Sequence, residues 1–121
     1  MSDSERKRLE NELNRALGSA CESAREEVPG FQWVTHIVDF SDVRSSIQVI
    51  WVFDSNQSLA GALRDGYESY LIHLASEALS EAGVGVSDIR QHVDFDSEEE
   101  CARVHGGDWK VRLTAEPEHF H

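Results

Sequence analysis

Apolar residues recur at spacings of three and four over residues 4–27. Leu9, Leu13, Leu17, Ala20 and Ala24 form one stripe, while Glu and Arg fill the other side. This spacing predicts a first helix, capped by Ser2 or Ser4 and ended by Pro29-Gly30, where proline cannot continue the hydrogen-bond ladder. Residues 31–40 change character to aromatic and β-branched types, a strand composition, and residues 41–45 read as a turn. In the next strand, 46–53, Ile47, Val49, Trp51 and Phe53 fall on one face and Ile50 and Val52 on the other, which predicts a central strand covered on both sides. The two strands make an expected hairpin.

Asp54-Ser55-Asn56 breaks the strand and starts a second helix over 57–82, with its stripe at Leu59, Leu63, Tyr67, Tyr70, Leu71, Leu74, Ala78 and Leu79. Gly61 and Gly66 each weaken it by about 1 kcal/mol against alanine, so a bend is expected near Gly66, and Gly83 is placed to cap its end. A short strand is predicted at 88–95 from Ile89, Val93 and Phe95. Ser97 with Glu100 matches a capping box opening a helix of about two turns, which Gly106-Gly107 stops. Trp109, Val111 and Leu113 alternate with Lys110, Arg112 and Thr114, predicting a half-buried edge strand over 109–114. Residues 115–121 read as a tail beyond a domain of residues 1–114. The predicted order is α-β-β-α-β-α-β: an α+β two-layer sandwich, with two long helices packed on one face of a small, mainly antiparallel sheet.

Composition narrows what such a domain can do. The 121 residues include 11 Lys+Arg against 23 Asp+Glu, a net charge of −12. At that charge the field repels polyanions, so nucleic acid is disfavoured as a partner and basic partners or cations are favoured. No run reaches the length a membrane span needs. The acidic start Met1-Ser2-Asp3-Ser4-Glu5 lacks the basic-then-apolar form of a signal peptide, so a cytoplasmic location is expected. Cys21 and Cys101 stand outside any C-x-x-C motif and read as reduced, packed thiols.

Candidate chemistry is thin, and no cofactor is expected. His119 and His121 beside Glu116 and Glu118 could catch a divalent metal, but on a tail whose ordering costs entropy. The acidic run Asp94, Asp96, Glu98, Glu99, Glu100 fails as an EF-hand, because position six from Asp94 is Glu99 and position twelve is His105. Its carboxylates suit a helix N-terminus instead. Gly61 and Gly66 lack the Lys-Ser/Thr of a phosphate loop. Cys101 and His105 stand four apart on a helix, yet neighbouring glutamates disfavour a thiolate there. The three tryptophans, Trp33, Trp51 and Trp109, all fall on predicted strands. An edge strand carrying Trp109, Lys110 and Arg112, extended by Tyr67 and Tyr70, would offer a surface for a protein partner or a second copy.

The order helix, hairpin, long helix, strand resembles KH-like domains. The segments His36–Asp42 and Ile47–Phe53 are similar to the hairpin of the ribosome-binding factor A family. The resemblance implies a ribosome- or RNA-associated role, against which stand the missing GXXG loop and the negative charge. Three expectations result. The first is a small acidic non-enzymatic interaction or self-associating module. The second is the ribosome-associated role. The third is a small-molecule or metal-binding enzyme with a pocket on the sheet face, drawing on His36, Asp39, Asp54 or His92.

Overall fold

The computed structural model describes residues 2–114. Helix α1 spans Asp3–Glu27, with the Ser2 hydroxyl accepting from the Glu5 N–H as its cap. The chain reverses at Gly30, whose φ of +81° places it in the left-handed region that glycine tolerates best. Strand β1, Phe31–Ile37, is followed by a single helical turn, α2 (Val43–Ser46), and by β2, Gln48–Phe53. Helix α3 (Asn56–Arg64) and helix α4 (Tyr67–Glu81) replace the one long helix expected. The break falls at Asp65-Gly66, where Gly66 has φ +89°.

Strand β3 is Val93–Ser97, later and shorter than the predicted 88–95. The Asp88 carboxylate accepts from the Arg90 N–H and winds Ile89–His92 into a 3-10 turn. Helix α5, Glu98–His105, starts at the expected Ser97 cap and stops at Gly106, also left-handed.

The predicted strand 109–114 is instead a helix, α6 (Trp109–Leu113), capped by the Asp108 carboxylate accepting from the Val111 N–H. Five residues are too few for alternation to choose between the two periods. Here the contacts made by Trp109 and Arg112 with the sheet settle the choice.

The sheet has the order β1-β2-β3. β1 pairs antiparallel with β2, and β2 pairs parallel with β3, so the sheet is mixed and not mainly antiparallel. The parallel pair arises because the β2–β3 connection carries two helices, which return the chain to the same end of the sheet.

Register assigns the faces. Val34 lies opposite Trp51, and His36 opposite Val49, so these four share one face with Phe53. That face packs under Leu13, Leu17, Ala20 and Ala24 of α1 and Leu71, Ala75 and Leu79 of α4. Trp33 lies opposite Val52, and Val52 beside Asp96, on the reverse face. There α5 and α6 sit, so helices cover both faces of the sheet and not one. β2 is central, and Val49 through Phe53 are all essentially inaccessible.

Candidate functional site

The five residues expected to form one interaction surface are divided between opposite sides of the sheet. Tyr67 and Tyr70 lie on α4 and are half-buried against the main core. Burial, and then Glu27, Glu26 and Glu77, push the Tyr70 hydroxyl above the ordinary tyrosine range. Trp109 and Arg112 lie on α6, over the reverse face. The Trp109 and Trp33 rings meet edge to face at 4.8 Å, and both indole N–H groups donate to the Glu98 carboxylate, Trp109 at 3.0 Å. Arg112 is buried. Its Nε and Nη2 donate to the two Asp96 oxygens at 2.6 and 2.9 Å, and Nη1 lies 3.2 Å from His105 Nδ1. Of the predicted set only Lys110 is fully exposed, and Arg112 offers no surface to a partner.

The same region accounts for the acidic run. Ser97 Oγ bonds Asn56, the first residue of α3. The Asn56 N–H donates to Glu99 at 2.8 Å, and its side-chain amide donates to Glu100 at 3.0 Å. The Arg103 guanidinium, and then this Asn56 amide, hold the Glu100 carboxyl down to about 2. Asp94 accepts from the Gln48 amide at 2.7 Å. These carboxylates lock α5 to α3 and to the sheet. Cys101 is fully buried beneath them, and burial, only partly opposed by Arg112, pushes its thiol up. His105 serves Arg112, so no activated thiol forms.

The residues considered for an enzyme pocket do not converge. Asp39 and Asp54 follow β1 and β2 and so stand at opposite ends of the hairpin. Asp39 accepts from the Ser41 N–H and hydroxyl, at 2.9 and 2.7 Å. His92 is buried, with Nδ1 2.8 Å from the Ile47 carbonyl. Among the described residues, no three His, Cys, Asp or Glu are placed to hold a metal ion, and no helix is long and apolar enough to cross a membrane. The terminal pair His119 and His121 lies outside the described residues.

The fourth candidate, His36, leads to a feature that motif searching missed. It sits on β1 at the junction of two clefts between α1 and the outer side of that strand. The first, about 210 Å³, is lined by Asn14, Leu17, Gly18 and Cys21 across from Val34, Thr35 and His36. The second, about 410 Å³, is lined by Glu10 and Asn14 across from His36, Ile37, Val38 and Phe40. Each far exceeds what one water needs on the same measure, about 10–15 Å³. Burial, partly offset by Glu10, lowers the His36 pKa and so favours the neutral ring. At the mouth of the second cleft the Arg6 guanidinium lies 4.6 Å over the Phe40 ring and 3.6 Å from Glu10.

Within β1 itself the chain is uncharged from Phe31 to Ile37 and contains no proline. Among the described residues β1 pairs with no strand but β2, and the Arg25 guanidinium of α1 donates to the Gln32 carbonyl at 2.8 Å, so the side left for a further strand begins at Trp33. The uncharged run is visible in the sequence, but nothing in the sequence tells which strand lies at an edge. No protein-family model, curated protein or solved structure matches the chain.

Proposed function

We propose that this chain is a small acidic, non-enzymatic docking module that receives an extended segment of a partner protein along the outer side of β1. The carrying observation is the contrast between the two sheet edges. β3 is a short edge of five residues, interrupted by Asp94 and Asp96 and continuing directly into α5. Charges and short length are the usual protections of an edge. β1 is longer, at seven residues, and carries neither charge nor proline of its own, with Arg25 of α1 held only at its start, on the Gln32 carbonyl. Strand addition draws affinity from main-chain hydrogen bonds and specificity from pockets for alternate side chains, and the two clefts along β1 supply such pockets. The partner surface expected at 109–114 is thus replaced by one at 31–38.

The test is selection of peptides from a random display library on the purified protein, followed by hydrogen exchange of the bound complex. Added protection confined to the amides of residues 32–38 is expected. Failure to select any peptide, or protection that maps to α4 or to α5–α6 and spares β1, would overturn the reading.

A further inference from the structure

We infer that the segment received by β1 carries a basic residue and a compact apolar residue two positions apart, the basic side chain entering the cleft at Phe40 and Glu10. This rests on the docking reading above and specifies its partner. Geometry supplies the spacing. On an added strand, side chains two residues apart point to the same face and stand about 7 Å from one another. The two clefts adjoin along β1, one centred on Val34–His36 and the next on His36–Phe40, sharing Asn14 and His36. Successive same-face side chains of an added strand therefore meet successive clefts.

The clefts differ in what they accept. The first has the buried Leu17 and half-buried Val34 in its lining and the exposed Gly18 at its rim, where a Cβ would meet nothing within 4 Å. Small, uncharged surroundings suit a valine-sized group. The second offers the Phe40 ring and the Glu10 carboxylate, and it already holds a guanidinium there, that of Arg6. A cation over an aromatic face with a carboxylate beside it is favourable on both counts. Arg6 is a resident occupant, supplied by a helix and 56% exposed, so an incoming arginine or lysine can displace it. The chain's net charge of −12 favours a basic segment at long range, while Lys7 and Arg8 beside Arg6 oppose it at this end of α1, so the local attraction comes from Glu10 and Phe40. Antiparallel ladders are slightly more stable than parallel ones, so the expected order in the partner is Arg-x-Val.

Two eight-residue peptide libraries test this, one fixed as Arg-x-Val and one as Glu-x-Val, titrated against the intact protein by fluorescence anisotropy. A preference of about tenfold for the arginine library is expected in Arg6→Ala, where the site is free, the scale of one cation–π contact plus one exposed ion pair, and a smaller preference in the unaltered chain, where the incoming cation exchanges with Arg6. Glu10→Gln should cut that preference, while Arg6→Ala should tighten arginine binding by removing the competitor. Gly18→Leu fills the first cleft and favours the helix, so it should abolish binding by a protein that remains folded. Equal binding of the two libraries, or weaker arginine binding in Arg6→Ala, overturns the inference while leaving the docking reading standing. Self-association of the chain through β1 does the same. Gly18→Leu binding both libraries as well as the unaltered chain does overturns the inference alone, whereas loss of the docking reading is recognised separately, by bound peptide that adds no hydrogen-exchange protection to β1. Displacement of bound peptide by single-stranded RNA at moderate salt would also overturn the inference, in favour of a polyanion site.

Discussion

Replacing Arg112 with methionine tests the docking of the last two helices most directly. The side chains of Arg112 and Asp96 are only 10% and 8% exposed, and two hydrogen bonds of 2.6 and 2.9 Å join them. An exposed ion pair contributes at most about 1 kcal/mol, but removing one member of a buried pair costs about 3–5 kcal/mol, because the remaining charge stays out of water. Methionine keeps much of the apolar stem, so the loss reports the charge more than the volume. Asp96 retains one donor, the Ser97 N–H at 2.8 Å, which offsets part of the cost. For 121 residues the unfolding entropy near 60 °C is about 0.25 kcal/mol/K, so Tm should fall by about 12–20 °C. Denaturant titration of Arg112→Met, Asp96→Asn and the double variant gives the assay. The double variant should recover about 2 kcal/mol against the sum of the singles, as directly coupled groups do. A loss below about 1 kcal/mol for Arg112→Met, or strict additivity, would refute the reasoning and return residues 109–113 to the surface.

Gly30→Ala should cost more than Gly66→Ala. Both glycines have positive φ, worth about 1–2 kcal/mol to a side chain, but a Cβ at Gly30 would lie 2.5 Å from Ser58 Cβ, while one at Gly66 meets nothing. Parallel denaturant melts check the order. Glu98→Ala leaves two indole N–H groups without their acceptor, so a loss of about 1–3 kcal/mol is expected, with a change in near-ultraviolet circular dichroism from the Trp33–Trp109 pair. Stability should decline with acid in two stages. The folded-state pKa of His36 is depressed below 6.5, so its contribution is present above that pH and is lost as pH falls below it. Glu100, held down to about 2 from 4.5, contributes above pH 4.5 and loses that contribution as pH falls toward 2, with Asp39 and Asp54 acting in the same direction. Urea midpoints measured from pH 8 to pH 2 should show both stages, and His36→Gln should remove the first.

The binding surface illustrates how far residue types carry an argument about function. Trp109, Lys110 and Arg112 form an amphipathic pattern that suits a partner, yet Trp109 and Arg112 satisfy Glu98 and Asp96 of their own chain. Position in sequence cannot say whether a large polar-tipped side chain has already met its acceptor. The same holds for His36, which matches no motif and becomes a candidate because α1 and β1 bring it between Glu10, Asn14 and Phe40.

What the sequence determined by itself is local. The 3.6-residue stripe of α1, the two-sided apolar run of β2, the Ser97 cap and the stops at Gly30, Gly66, Gly83 and Gly106 all arise from interactions within a few residues, and each lies where the pattern placed it. Tertiary structure decided the rest. The five-residue segment 109–113 became helix because Arg112 could reach buried Asp96 and Trp109 could reach Trp33, neighbours 16 and 76 positions away. Strand β3 became parallel because two helices intervene, and β1 became an open edge because no strand in the described chain pairs beyond it. Those outcomes depend on contacts between distant segments, whose free energy no local spacing records.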